Sequence, residues 1–269
     1  MTRLCRLFGV TRPGYYAWRQ RPVSPRQRQD RVLLEEMRAI FEGSGGTYGS
    51  PRIHRALRAR GQRVSRRRIE RLMRAAGWRA RIVRVYRPKA GTHRWFGRQP
   101  NYVRRTHATR LNQIWVGDLT YLAVERRWWY LAVVLDQYSR RVLAWRLART
   151  RTSRLTRAVV DAALRRRRPP TGVIFHSDRG SEFQGQPLRE RLAARGLRQS
   201  MTRGGAPDEN AHIESFFHSL KADLIHGRTF HTVSELRLQL RRYLRYYNHQ
   251  RLHSALGYQS PVDYERRAA

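Results

Sequence analysis

The chain has 269 residues, 40% apolar and 10% aromatic, enough to bury a core and to exclude wholesale disorder. Its 57 basic residues against 19 acids give a formal charge of +38, which points to an anionic partner, nucleic acid before a membrane surface. No apolar run reaches the roughly 18 residues of a membrane span, the charged start "MTRLCRLFGV" makes a poor secretory signal, and a single cysteine, Cys5, excludes an internal disulfide or a Cys-rich zinc site. The expectation is a cytoplasmic protein with no membrane partner. Only Lys89 and Lys221 are lysine; so extreme an arginine bias is also what GC-rich codon usage would produce, leaving some arginines as solvated filler.

Residues 1–80 read as a basic helical region. "CRLFGVTRPGYYAWRQR" opens as a short helix that the sequence predicts to break at Pro13-Gly14. The next helix has Ser24 as N-cap, Pro25 at its first position and an apolar face of Val32, Leu33, Met37, Ile40 and Phe41. A helix from Pro51 closed by Gly61 precedes one capped by Ser65, with Ile69, Leu72 and Met73 inward. Arg66, Arg67, Arg68, Arg71 and Arg74 crowd that last helix. Two short helices around a tight turn suggest helix-turn-helix geometry and a DNA contact; a small bundle with a solvated basic face is the alternative. Residues 81–108 read as a linker.

From 109 the pattern changes. Three β-rich runs, "QIWVGDLTYLAV", "RWWYLAVVLDQYS" and "RVLAWRLART", predict an antiparallel meander. "SRLTRAVVDAALRRRR" predicts a helix ended by Pro169-Pro170, "TGVIFHSD" a strand buried on both faces, and "SEFQGQPLRERLAARG" one further helix. The glycine-rich "TRGGAP" then leads into a helix bearing Glu214, and 226–269 reads as a C-terminal helical extension. The order is α/β and matches a ribonuclease-H-like core over 109–225, a mixed sheet flanked by helices.

The acids carry the chemistry. Asp118 lies inside the first strand and Asp178 at the end of the buried one. Aspartate is disfavoured in strand interiors, and a buried carboxylate is costly unless paired or metal-bound. Each acid also has a plainer role: Asp178 in a turn, Glu214 on an exposed helix face, Asp208 as a cap, Glu209 in a first turn. Together, three carboxylates without Cys or clustered His suit a hard cation, Mg²⁺ or Mn²⁺, and two such ions suit phosphodiester chemistry.

"WVGDLTYL", "HSDRGSEF", "ENAHIESFFHSLKADL" and "YYNHQRLHSALGYQSPVDY", with "CRLFGVTRPGYYAW" and "TYGSPRIHRALRARGQRVSRRRIERLM" upstream, resemble in order the OrfB transposases of the IS-three family of insertion sequences, within the retroviral-integrase superfamily. The resemblance implies that Asp118, Asp178 and Glu214 bind divalent ions, probed as Mg²⁺ or Mn²⁺. It implies that Lys221 and Asn210 contact transposon-end DNA, with Arg66, Arg67, Arg68, Arg71 and Arg251 as further DNA contacts. Tyr247, Asn248, Arg251 and His253 match the family's Tyr-Asn-x-x-Arg-x-His signature; a structural role, packing by Tyr and capping by Asn, is favoured over DNA contact or support of the catalytic helix. His176 and His212 are supporting residues at most. Gly117, Glu182, Phe183 and Glu209 depart from the residues common in that family. The implied activity is metal-dependent cleavage and strand transfer of element ends. The implied partners are double-stranded DNA (terminal inverted repeats and target), a second copy or more on DNA, and OrfA, separate or fused by frameshifting. The competing readings are a DNA-binding protein without catalysis, a hydrolase that cuts without joining and, a distant third, an RNA-binding role for the arginine-rich stretches.

Overall fold

The computed structural model describes residues 1–81, 100–104, 106–202 and 210–268. The chain forms two compact units, Met1–Ala80 and Arg81–Ala269.

The first unit is helical: α1 (Thr2–Leu7), α2 (Arg12–Gln20), α3 (Pro25–Gly43), α4 (Ser50–Ala59) and α5 (Arg66–Ala75). The expected break at Pro13-Gly14 is displaced. The chain turns at Gly9, whose φ of +62° suits a residue without Cβ, and Pro13 sits in the first turn of α2, capped by Thr11. Ser24 and Gln27 form a reciprocal capping box that starts α3. Leu33, Met37, Ile40, Ile53, Leu57, Ile69, Leu72 and Met73 are buried, whereas Val32, placed by periodicity on the apolar face, is 65% exposed. Gly61, at φ +83°, lies in the tight turn between α4 and α5, and Ser65 caps α5 through Arg68 N–H.

In the second unit β1 (Ile114–Val124), β2 (Arg127–Asp136) and β3 (Val142–Ala148) form the antiparallel meander. After α6 (Ser153–Arg167), β4 (Ile174–Ser177) pairs parallel with β1, and β5 (Arg198–Met201) pairs parallel with β4, giving the order β3-β2-β1-β4-β5. The sequence reading missed β5: its "RQSM" holds one apolar residue and offers no alternation to detect. The single helix expected over 181–196 is two, α7 (Ser181–Gln184) and α8 (Gln186–Ala193). They part at Gly185, where a Cβ would stand 2.4 Å from that of Ser153.

Strand alternation sorts the sheet into two apolar faces. Trp115, Ala132, Val134, Leu143 and Phe175 pack with α6 and α8 through Val159, Val160, Leu188 and Leu192. Ile114, Val116, Leu131, Val133 and Leu135 face α9 (Ala211–Leu220) and α10 (Val233–His249). Full burial of each such side chain contributes about 1.5–3 kcal/mol. A π-helical turn, Lys221–Ile225, extends α9. α11 (Pro261–Ala268) closes the chain, its Glu265 buried against Arg141, Arg167 and Ser139 Oγ. Among the described residues no helix is long and apolar enough to cross a membrane.

Candidate active site

The register of β1 and β4 sets the first two acids. Gly117 pairs with Ser177 at the end of the parallel ladder, so the next residues are Asp118 on β1 and Asp178 just past β4. Asp118 falls on the same alternation as Ile114 and Val116, which face α9. α9 in turn is pinned to that face by Ile213, Phe216, Phe217 and Leu220, with Glu214 between them. Glu214 itself is exposed on α9, and what links the three acids is that Asp118 feels the charges of both Asp178 and Glu214.

Electrostatics record the convergence. Burial pushes the Asp118 carboxyl well above the usual range, and the charges of Asp178, Glu214 and Glu182 push it further, against a hydrogen bond from Leu119 N–H at 2.7 Å. Lys221 is half-buried; burial lowers its pKa while the charge of Asp118 opposes that shift. Its Nζ stands 5.2 Å from the Tyr121 ring centroid.

Local bonds hold the turn after β4. Asp178 Oδ1 accepts from Gly180 N–H at 3.0 Å, Arg179 Nε donates to the Thr202 carbonyl at 2.6 Å, and Gln184 donates to the Arg179 carbonyl at 2.6 Å. Glu182, 5% exposed, folds back over Gly180, where any Cβ would lie 2.7 Å from its carboxyl. In the sequence Glu182 stands out only as a departure from the family residue and by its place four residues after Asp178.

The donor set fits a hard divalent cation: carboxylate oxygens, mutual repulsion, and a carboxyl whose ionisation is disfavoured without added positive charge. Among the described residues no three His, Cys, Asp or Glu side chains are grouped closely enough to hold an ion as they stand. The carboxylates are thus neighbours, not a preassembled cage.

Other anticipated residues sort differently. Asn210, at the start of α9 and one turn before Glu214, is 5% exposed, and its Oδ1 has no hydrogen-bond partner among the described residues. His176 is buried with Nδ1 2.9 Å from Ser200 Oγ, tying β4 to β5. His212 is held at about 4 by burial and by Arg140 and His107, so it is neutral at physiological pH. Arg251, anticipated at DNA, is 6% exposed and bonded to Asp223 and Ser219; its burial gives it a structural role instead. Asn248 caps nothing: it exchanges two 2.9 Å bonds with the Val142 backbone and fastens α10 to β3. On α5, Arg68 and Arg71 bind Asp30 at 2.7 and 2.5 Å and Arg66 binds Glu70 at 2.7 Å, while Arg67 is exposed. Asp208, Glu209, Lys89 and the "RGGAP" loop lie outside the described residues.

Comparison with known proteins bears on this geometry. Residues 108–207 match the family described as "Integrase core domain", residues 195–261 a second family of that description, and residues 27–86 the "HTH-like domain". The chain is 35% identical over 266 residues to "Insertion element IS600 uncharacterized 31 kDa protein" of Shigella sonnei, covering 98% of each. It is 35% identical over 268 residues to "Transposase InsF for insertion sequence IS3A" of Escherichia coli K12, covering 98% of this chain and 93% of that one. A chain of the simian T-cell lymphotropic virus intasome, solved with PP2A regulatory subunit B56 gamma, superposes with TM-score 0.51 at 17% identity, covering 66% of this chain and 61% of that one; the likeness is one of fold.

Proposed function

The chain belongs to the IS-three (IS3) family of insertion-sequence transposases, and from that premise we propose that Asp118, Asp178 and Glu214 are the metal-binding catalytic carboxylates of its strand-transfer site. What supports this reading is that Asp118, inside β1, and Asp178, just past β4, each follow the last β1–β4 pair, and that Asp118 feels the charges of Asp178 and Glu214.

The three carboxylates hold Mg²⁺, with Mn²⁺ as substitute, and two ions are the number that fits in-line displacement. Bound there, divalent ions supply charge neutralisation at the scissile phosphate and favour ionisation of the attacking oxygen. In the first step water attacks phosphorus at an element end, the P–O3′ bond breaks, and a 3′-OH is freed. In the second, that hydroxyl attacks a phosphodiester elsewhere and releases a different 3′-OH. Lys221, beside Asp118, anchors a non-bridging phosphate oxygen. The exposed Arg67 and Arg74 of α5 suit phosphate contacts. Double-stranded DNA of the terminal repeats and of the target is the substrate. Two ends must be joined, so a dimer or larger assembly on DNA is proposed, with OrfA as a further partner, acting on nucleoid DNA in the cytoplasm.

The test is cleavage and joining of labelled duplex carrying the element's ends, with and without Mg²⁺. Metal-dependent joined product supports the reading. Cleavage without joining transfers it to a hydrolase, and DNA binding with no chemistry, even with OrfA supplied, transfers it to a non-catalytic binder.

A further inference from the structure

We propose that Tyr121 and Trp128 form a stacking platform that receives an unpaired DNA base beside the carboxylate site. The inference rests on the strand-transfer reading above and names how the strand end is held.

Two large aromatic side chains lie open to solvent on the sheet, Tyr121 at 57% and Trp128 at 55% exposure. They meet edge-to-face with centroids 4.9 Å apart at 85°. Tyr121 pairs with Tyr130 and Trp128 with Ala123, so the two rings are diagonal neighbours on one face of the β1–β2 ribbon. Rings this exposed contribute little to a core.

Their position ties them to the chemistry. Tyr121 follows Asp118 by three residues, roughly 10 Å along the strand and, by alternation, on the other face of β1, so the link between them runs around the open strand edge. The β1–β4 ladder ends at Gly117–Ser177, so this stretch has no β4 neighbour. Lys221 bridges the two features, its Nζ 5.2 Å from the Tyr121 ring and its ammonium under the influence of Asp118. A base stacked at Tyr121 therefore places its sugar-phosphate within reach of Lys221.

Charge selects the occupant. Arg126 and Arg127 are exposed at the hairpin tip, and Arg149 donates to the Trp128 carbonyl at 3.3 Å. Exposed aromatic rings rimmed by cations fit a polyanion with planar apolar faces, which is a nucleic acid with an unstacked base. A second copy of this +38 chain meets the same rim with like charge. Base pairs inside a duplex offer no free face, so the ligand is a frayed or flipped nucleotide at a strand end.

The experiment uses the full chain and two probes: an element-end duplex with a short overhang carrying 2-aminopurine, and the same duplex blunt. Wild type, Tyr121→Phe and Trp128→Phe are expected to quench the overhang fluorophore. The double variant Tyr121→Ala/Trp128→Ala is expected to lose the quenching and to bind the overhang probe at least about fivefold more weakly, with its blunt-duplex affinity little changed. Quenching that survives in the double variant, or equal weakening on both probes, overturns the platform, as does a change in self-association in the double variant. Cleavage and joining by the same preparations separate the two claims. Normal joining without any quenching sinks the platform and leaves the transposase site standing; quenching without metal-dependent chemistry in wild type does the reverse.

Discussion

Arg251 Nε donates to Asp223 Oδ2 across 2.9 Å, with each side chain only 7% exposed. The same guanidinium donates to Ser219 Oγ at 3.1 Å, and the Tyr243 hydroxyl donates to Asp223 Oδ2 at 3.1 Å. Ser219 lies on α9 and Asp223 in the π turn beyond it, so this buried pair ties the segment that bears Glu214 to the far end of α10.

Arg251→Ala leaves Asp223 buried without its cation. Breaking one side of a buried pair costs about 3–5 kcal/mol, and urea unfolding of the sheet-bearing unit is expected to show a loss of that order, partly recovered in Arg251→Lys. A loss below about 1 kcal/mol, the size typical of exposed pairs, contradicts a locking role.

Asp118 gives a pH prediction. Burial and the charge of Asp178 raise its folded-state pKa above that of an unfolded aspartate, about 3.9, so the folded chain binds the extra proton between those two values. Without metal, stability therefore falls as pH rises from the unfolded pKa toward the folded one and stays reduced above it. Thermal unfolding in EDTA is expected to show Asp118→Asn more stable than wild type at neutral pH, with a flatter pH dependence. Parallel curves for the two proteins contradict the account.

Glu265 behaves oppositely. Burial raises its pKa, but hydrogen bonds from Ser139, Arg167 and Arg141 outweigh that and hold it below the usual glutamate value. Its contribution is present above the unfolded pKa and is lost as pH falls through the folded one. Glu265→Gln is expected to destabilise at neutral pH, and its deficit relative to wild type is expected to shrink in acid. A deficit that grows in acid refutes the arrangement.

Gly117 faces Phe175: a Cβ there would meet the ring at 2.4 Å. Gly117→Ala is expected to cost about 1–3 kcal/mol through overpacking, and less in a Phe175→Leu background. A double-mutant cycle measures the coupling; additive losses indicate that the ring does not own the space.

Much of this was legible in the sequence, and the exceptions are physical. Ser24 and Ser65 start helices because their side chains satisfy specific N–H groups, a local rule. The meander was readable because each strand is long enough for its apolar pattern to show. Asp118 and Asp178 stood out as acids in apolar strands; their adjacency follows from β1–β4 register, which no local pattern encodes. β5 and the break at Gly185 depend on neighbours distant in the chain, Ser177 pairing with Met201 in one case and Ser153 in the other. The role of Arg251 was ambiguous because a charged residue's burial is decided by its partner, and Asp223 lies 28 residues away.

Mn²⁺ binding followed by electron paramagnetic resonance reads out whether the three carboxylates share divalent metal. Wild type is expected to take up Mn²⁺ that Mg²⁺ displaces, with uptake sharply weakened in each of Asp118→Asn, Asp178→Asn and Glu214→Gln. Wild-type uptake by Glu214→Gln would remove α9 from the site and contradict the account.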